Sequence, residues 1–257
     1  MRKILNYGLV ACLTAAFVFA GCKKDDDEGQ NAETQNILPK KVSKIVETVE
    51  RTFEETSKTS IYIYYFDENG KLIKDESFYN GELEESVIYQ YTENSIKYDD
   101  VTCNVEKGRI SQLVYDEDET TVKFNYSADG YLASYLFIYE YKGETYSSEM
   151  KYTYENGNVV ELENKGEDYI VKYSYGQTLN NLNVDLFYIY EDLMPFTGYF
   201  GKRVKNLPSS MVGMSVEDGK TEVDKTTTFT YIYDGEYLTK IEESQGDDYK
   251  RTYEIFY

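Results

Sequence analysis

Aromatic side chains recur at every second position in short runs along this chain, and glycine-containing turns separate the runs. Phe124 and Tyr126 show the pattern, as do Tyr152 and Tyr154, with one polar residue between the members of each pair. Because successive side chains of a β-strand point to opposite faces of the sheet, each pair projects to one face. This alternation is typical of half-buried antiparallel strands, so it predicts an all-β fold.

The turns between these runs have the composition of tight β-hairpins. Asn80-Gly81, Asp129-Gly130 and Asn156-Gly157 place Asn or Asp before Gly, a pair favoured where successive residues need a positive φ. Strands joined by such short turns form an antiparallel meander. We predict a meander of about 11–14 strands that forms a curled sheet or a filled, barrel-like structure.

Two runs depart from the simple alternation. Residues 131–141 are apolar on both faces at mid-strand, so we expect this strand to be covered on both sides and to form the centre of the core. Residues 39–53 have apolar side chains at helical spacing, yet they are rich in β-branched residues and lead into the strand at residues 61–66. We interpret them as a strand, with a helix as the alternative.

Residues 179–214 interrupt the meander. Helical spacing predicts one short helix near residues 182–194, ended by Pro195, from four apolar residues: Leu182, Leu186, Ile189 and Leu193. An insertion of this kind either carries function or plugs the open end or concave face of the sheet, and we favour the plug. If it binds a ligand, the candidate contact residues are Phe196, Tyr199, Phe200, Lys202 and Arg203.

Composition excludes several chemistries. The chain has no histidine, so it can build neither a Ser-His-Asp or Cys-His catalytic centre nor a histidine-ligated metal site. No metal-ligand spacing or cofactor motif is present, and we expect neither a metal nor a cofactor. Cys103 is the one cysteine beyond the leader, and we expect it to be a small buried hydrophobe. A net charge of −20 argues against nucleic-acid binding.

The first 38 residues have the organisation of an export and anchoring segment. Residues 1–21 form a signal peptide with a basic start and an apolar core too short to span a membrane. Residues 19–22 resemble a bacterial lipobox, which makes Cys22 the acylated residue and the membrane anchor. Residues 22–38 predict an acidic flexible tether before a single Tyr-rich all-β domain at 39–257. The acidic run 25–28 resembles the surface-export signal of Bacteroidetes-type lipoproteins, with a solvating linker as the alternative.

Three motifs resemble those of a known family. The Asn-Asn-Leu-Asn-Val-Asp-Leu segment (180–186), residues 201–208 and residues 231–238, set among Tyr-rich hairpins, are similar to Bacteroidetes lipoproteins of unknown function described as having a porin-like fold. The resemblance covers residues 40–257 and implies that fold, but no activity and no catalytic residue. More weakly, residues 65–72 resemble the YD repeats of bacterial surface shells.

A porin-like fold does not imply a pore in this chain. A membrane-spanning barrel needs an apolar lipid-facing side on each strand. Here the face opposite the tyrosines carries Lys123, Lys151 and Lys172, whereas the tyrosine face is suited to a core. A curled sheet or closed, filled barrel in water fits this pattern better.

Three hypotheses on function follow. The first is a non-catalytic binding or adhesion module at the cell surface, lipid-anchored in the outer membrane, whose aromatic rings contact a glycan or protein; the periplasmic face stays open as an alternative. The second is a structural or scaffolding outer-membrane lipoprotein with an envelope protein as its partner. The least favoured is a paired-carboxylate glycoside hydrolase, because the abundant carboxylates fall mainly in turns.

Overall fold

The computed structural model describes residues 40–53, 56–115, 120–164, 166–187, 198–217, 219–246 and 248–257. They form 17 strands of one sheet, and the pairings among these strands are antiparallel, which confirms the all-β meander. The strands are β1 (Lys44–Phe53), β2 (Thr56–Phe66), β3 (Leu72–Tyr79), β4 (Glu82–Ile88), β5 (Gln90–Tyr91), β6 (Ser95–Tyr98), β7 (Val101–Glu106), β8 (Arg109–Tyr115), β9 (Thr120–Tyr126), β10 (Leu132–Tyr141), β11 (Glu144–Glu155), β12 (Asn158–Asn164), β13 (Tyr169–Leu179), β14 (Asn206–Glu217), β15 (Lys220–Asp234), β16 (Tyr237–Ser244) and β17 (Tyr249–Phe256).

The sheet curls until its first strand meets its last. β1 pairs with β2 on one side and with β17 on the other, where Lys44 lies opposite Phe256 and Arg51 opposite Tyr249. The ring has one seam, at Tyr89, where the chain leaves its ladder with β3 and begins another with β6. The result is a nearly closed barrel, as predicted.

The tyrosine face of the strands is the inside of the barrel. Phe124, Tyr152 and Tyr173 are buried, whereas the residues beside them, such as Thr153 and Lys172, are exposed. The rings also contact one another across strands, since Tyr135 lies 5.9 Å from Phe124 and 6.1 Å from Tyr152 between ring centroids. The alternation therefore predicted the core correctly, and the interior is filled at this level by aromatic side chains.

Tyrosine, rather than phenylalanine, recurs near one end of the barrel for a specific reason. Six hydroxyl groups there donate hydrogen bonds of 2.5–2.9 Å to backbone carbonyls close to the start of an earlier strand. Each ring thus lines the interior while its hydroxyl group bonds to a carbonyl beside a register shift in the strand ladder. The pairs are Tyr91–Leu72, Tyr126–Ile110, Tyr154–Leu132, Tyr175–Val159, Tyr231–Pro208 and Tyr257–Leu238.

The structure has 17 strands, more than the predicted 11–14. Two contributions to the difference are the division of residues 82–91 into β4 and β5, and β14, which lies within the predicted insertion at 179–214. β14 contains Pro208 and Gly213, both of which weaken a strand pattern. Pro208 lies at a register shift against β13, and Gly213 leaves room for the hydroxyl of Tyr169, which a side chain at 213 would overlap. The insertion is therefore shorter than predicted and ends where β14 begins, at Asn206.

Three other predictions have defined outcomes. Residues 44–53 are a strand, as interpreted, and Cys103 is fully buried with its thiol pKa raised to about 12 by burial. The predicted coverage of residues 131–141 on both faces is wrong for the second half of β10, where Phe137, Tyr139 and Tyr141 are exposed. In the segment predicted as a helix, residues 182–186 are not helical, and residues 188–194 lie outside the described part of the chain.

Candidate functional site

The described parts of the insertion lie across one end of the barrel. We define the plug as residues 180–187 and 198–205. It is fixed to the turns at this end by backbone hydrogen bonds, since the amide of Lys202 donates to the carbonyl of Gly130 (2.8 Å) and that of Lys205 to the carbonyl of Gly157 (2.9 Å). The amide of Val42 donates to Oδ1 of Asn183 (2.7 Å). The expectation that the insertion plugs one end of the sheet is confirmed.

The inner side of the plug is apolar and packs into the aromatic core. Phe187 contacts Tyr173 at 5.5 Å and Phe200 contacts Phe124 at 5.9 Å between ring centroids. Burial of these two rings, together with the fully buried Val184, Leu186 and Val204, anchors the segment to the barrel.

A buried polar cluster fixes the two halves of the plug to each other. Asp185 Oδ1 accepts hydrogen bonds from Nδ2 of Asn180 (2.7 Å) and the amide of Phe187 (3.2 Å), and Oδ2 lies 3.8 Å from Nε of Arg203. Burial raises the pKa of Asp185 above its ordinary value, although Arg203 and Asn180 both act in the opposite direction. Arg203 also donates to the carbonyl of Leu182, so its main contacts lie within the plug.

The candidate contact residues predicted in the insertion do not form one exposed surface. Phe200 is 2% exposed and belongs to the core, which removes it from the residues that a ligand could reach. Tyr199 is half-buried and stacks at 6.2 Å on Tyr91. Lys202 is exposed, and its ammonium group lies 4.7 Å from the centroid of the Tyr131 ring. Phe196 lies outside the described residues.

The opposite end of the barrel carries exposed aromatic rings. Phe137, Tyr139 and Tyr141 follow the buried Tyr135 on the inward face of β10, and Tyr146 lies opposite Tyr139 on β11. The exposed fractions are 38% for Phe137, 38% for Tyr139, 56% for Tyr141 and 40% for Tyr146. Tyr139 and Tyr146 stack at 5.4 Å with an interplanar angle of 16°. We call these four residues the aromatic wall.

A cavity of about 410 Å³ lies on the inward face of β1 and β14–β17. In the strand order of the barrel, these strands are distant from the β10–β11 hairpin. We call this cavity the basic pocket, because three of its lining side chains are cationic and one is a carboxylate. Its residues are Arg51, Met211, Lys225, Glu243, Gln245, Tyr249 and Arg251.

Two guanidinium groups approach the ring of Tyr249 in this pocket. The guanidinium carbons of Arg51 and Arg251 lie 5.6 Å and 5.7 Å from its centroid, within the range of cation–π attraction. Burial raises the pKa of Tyr249 to about 12, with Arg251 acting in the opposite direction. The phenol therefore stays neutral near pH 7 and is able to donate a hydrogen bond.

Arg251 is held by acidic and phenolic groups behind the pocket. Its Nε lies 3.3 Å from Oε1 of Glu47, and its Nη1 lies 3.9 Å from Oε2 of Glu243 and donates to the hydroxyl of Tyr253 at 3.1 Å. Burial would lower the pKa of Arg251, but Tyr253, Glu47 and Glu243 together raise it above its ordinary value. The guanidinium is therefore permanently charged and fixed in orientation.

A second cavity of about 180 Å³ adjoins the basic pocket, with which it shares Met211 and Lys225. Its other lining residues are mainly apolar or aromatic: Leu162, Tyr169, Val171, Tyr173 and Gly213. We call it the apolar pocket. The two pockets together offer a ligand one charged and one apolar surface, joined at Lys225.

Sequence reasoning missed the basic pocket. Lys225 and Arg251 come from β15 and β17 near the end of the chain, whereas Arg51 comes from β1, so the three cations come together only after the barrel closes. One signal was present: Arg51 has the same strand phase as the apolar Ile45 and Val49, so it points inward. A charged residue at a strand position that points toward the core indicates a polar site inside the barrel.

Among the described residues, no group of three or more histidine, cysteine or acidic side chains is placed to hold a metal ion. In the same part of the chain, no helix has the length and apolarity needed to cross a membrane.

The fold and its plugged, nearly closed barrel define the structural class, which is the porin-like fold of Bacteroides proteins. One similar solved structure is a porin-like protein from Bacteroides uniformis, with a TM-score of 0.58 and 18% identity over 84% of this chain and 96% of that chain. Another is a porin-like protein from Bacteroides vulgatus, with a TM-score of 0.54 and 12% identity over 82% of this chain and 97% of that chain. The fold implied by the sequence motifs is thereby confirmed. No family model and no curated protein matches the chain.

Proposed function

We propose that this protein is a lipid-anchored envelope protein that binds a glycan at the open end of its barrel without changing it chemically. The observation that carries the proposal is the contrast between the two ends. The plug buries Phe187 and Phe200 at one end, whereas the aromatic wall leaves four neighbouring rings exposed at the other. A group of exposed aromatic side chains is typical of a binding site.

The geometry of the aromatic wall is suited to sugar rings. Tyr139 and Tyr146 stack on each other, so each ring is supported by the other and presents its outer face to a ligand. Aromatic faces are electron-rich and pack against the polarised C–H groups of a sugar. Tyrosine also offers a hydroxyl for a sugar oxygen, and the hydroxyl of Tyr146 is oriented by its bond to Glu144 (2.8 Å).

A hydrolytic role is less well supported by the same residues. Glu47 and Glu243, the two carboxylates at the basic pocket, both lie against the guanidinium of Arg251. A glycosidase needs its carboxylates on either side of the scissile bond. Here the position between them is taken by Arg251, which favours binding over catalysis.

The binding proposal is tested with a variant that carries Tyr139→Ala and Tyr146→Ala. We expect the wild-type protein to be retained by members of a glycan array, and the variant to lose about tenfold or more in affinity for them, since a stacked aromatic anchor contributes on the order of 1–2 kcal/mol. Tyr233→Ala, an exposed tyrosine at the plugged end, is the matched control and should bind as wild type. An array without any bound glycan, equal binding by the double variant, or shortened glycan products would contradict the proposal.

The anchor is tested separately through Cys22, which lies outside the described residues. Cys22→Ala is expected to move the protein from the membrane fraction to the soluble fraction, because acyl chains rather than protein contacts hold it on the bilayer. Protease treatment of intact cells then reports the side: loss of the wild-type protein indicates the cell surface, and protection until lysis indicates the periplasmic face. Membrane retention of Cys22→Ala would exclude the lipid anchor.

A structural role is the second candidate, and one observation favours it. β4 pairs with β3, while its other edge lies at the seam of the barrel, and the described ladders assign that edge no partner strand. Leu83 and Ile88 on this strand are exposed. An open strand edge with exposed apolar residues is able to accept a strand from an envelope protein.

A further inference from the structure

The basic pocket stands out against the charge of the whole protein. The chain carries a net charge of −20, with 27 basic and 47 acidic residues. The pocket reverses this ratio, since the three cations Arg51, Lys225 and Arg251 outnumber Glu243 in its lining and Glu47 behind it. Like charges brought together in a concave, partly dry site repel one another, so an arrangement of this kind is stabilised by a bound anion.

Arg51 and Arg251 supply the donors that an oxyanion needs. They lie on paired strands, with Arg51 opposite Tyr249 and Arg251 two residues further along β17 on the same face. Their guanidinium groups thus reach the ring of Tyr249 from neighbouring positions. The planar donor fork of arginine matches the geometry of a carboxylate, sulfate or phosphate. Contacts with Tyr253 and Glu47 fix the direction of Arg251 before a ligand arrives.

Lys225 adds a charge that the described residues leave unneutralised. It is exposed on β15 opposite Gly213, next to a register shift, and no carboxylate lies within ion-pair distance of its ammonium group. Ion pairs elsewhere on the sheet show that carboxylate partners are common on this protein, as for Lys240 and Glu242 (2.7 Å). Lys225 is therefore the cation in the pocket most available to a ligand.

Lys225 also decides what is attached to the anion. It lines both the basic and the apolar pocket, so an oxyanion beside it is in reach of Tyr169 and Val171. We infer that the two pockets bind an acidic glycan, with its carboxylate or sulfate among Arg51, Lys225 and Arg251 and a sugar ring against the apolar pocket. This inference rests on the proposed glycan-binding function and specifies the class of glycan.

The test compares an acidic trisaccharide with its neutral form. The purified full-chain lipoprotein is titrated calorimetrically in detergent with trigalacturonate and with its methyl ester, which keeps the rings and removes the charges. We expect the acid to bind at least about tenfold more tightly than the ester, as charge-assisted hydrogen bonds are lost in the ester. A parallel titration with 6-sulfated trigalactose shows which oxyanion is preferred.

Variants locate the effect. Lys225→Met and Arg51→Gln should each lower the affinity for the acidic trisaccharide by about tenfold and leave that for the ester unchanged. Lys172→Met is the control, because Lys172 lies on the outer face of β13. Thermal unfolding of each variant separates loss of binding from loss of folding.

The possible failures are distinguishable. Equal binding of acid and ester, or an unchanged affinity of Lys225→Met for the acid, overturns the acidic-ligand inference and leaves glycan binding intact. Absence of binding to acid, ester and sulfated form overturns the inference, and an empty glycan array in addition overturns the proposed function.

Discussion

Gly70→Ala is expected to destabilise the protein by about 3 kcal/mol or more, whereas Gly143→Ala should cost about 1–2 kcal/mol. Both glycines have a φ of +78°, so both substitutions force a side chain into the left-handed region. They differ in what surrounds them. A Cβ at position 70 would overlap the backbone carbonyl of Asn183 in the plug, while nothing lies within 4 Å of one at position 143.

The matched φ makes the difference between these variants a measure of plug docking. The free energy of unfolding of each variant is measured by urea denaturation followed by circular dichroism. A common m-value is used for the two variants only if their transitions have the same slope. If both variants lose the same free energy of unfolding, the plug does not seat against the turn at Gly70 with the contacts described. Gly201→Ala, which would overlap the carbonyl of Gly130, provides a second test from the other half of the plug.

Arg251→Met is expected to cost about 3–5 kcal/mol of stability, because it leaves buried carboxylates without their counter-charge. Glu47 and Glu243 are 5% and 2% exposed, and both lie within 4 Å of the guanidinium of Arg251. Methionine preserves most of the side-chain volume, so the loss reports charge rather than packing. The measurement is again the free energy of unfolding at pH 7.

Lys250→Met is the control for this second prediction. Lys250 immediately precedes Arg251 on β17 and points to the other face of the sheet. Its ammonium group lies 3.7 Å from Glu242, and the side chain is half exposed. Removing a surface pair of this kind costs at most about 1 kcal/mol. A loss for Arg251→Met no larger than that of Lys250→Met would show that the interior carboxylates do not depend on the arginine. Adding Glu243→Gln to Arg251→Met should restore part of the lost stability.

Local features of the fold were predictable because they depend on near neighbours in the chain. The alternation around Tyr152 and Tyr173 specified the inward face, since a strand has a fixed period of two. Asn80-Gly81 and Asn156-Gly157 specified tight hairpins, and both pairs have positive φ at each residue.

Features that depend on closure were not predictable from the same patterns. The pairing of β1 with β17 joins residues about 200 positions apart, and nothing in either strand alone specifies its partner. The same holds for the basic pocket, because Arg51 joins Lys225 and Arg251 only across that closure. The second half of β10 was predicted wrongly for a related reason. Its apolar residues suit a core, but they lie at the strand end away from the plug, where they are exposed.

The site where the chain enters the barrel gives the molecule a polarity. Val42 and Ser43 contact Asn183 of the plug and Phe256, so the polypeptide arrives at the closed end. The ten residues of β1 then run toward the mouth, a distance of about 33 Å at the usual rise per residue. If Cys22 is acylated as proposed, the segment that leads to the membrane joins the barrel at the plugged end, away from the aromatic wall. A molecule that reaches the aromatic wall would then come from the surrounding medium, because the bilayer would lie on the side of the plug.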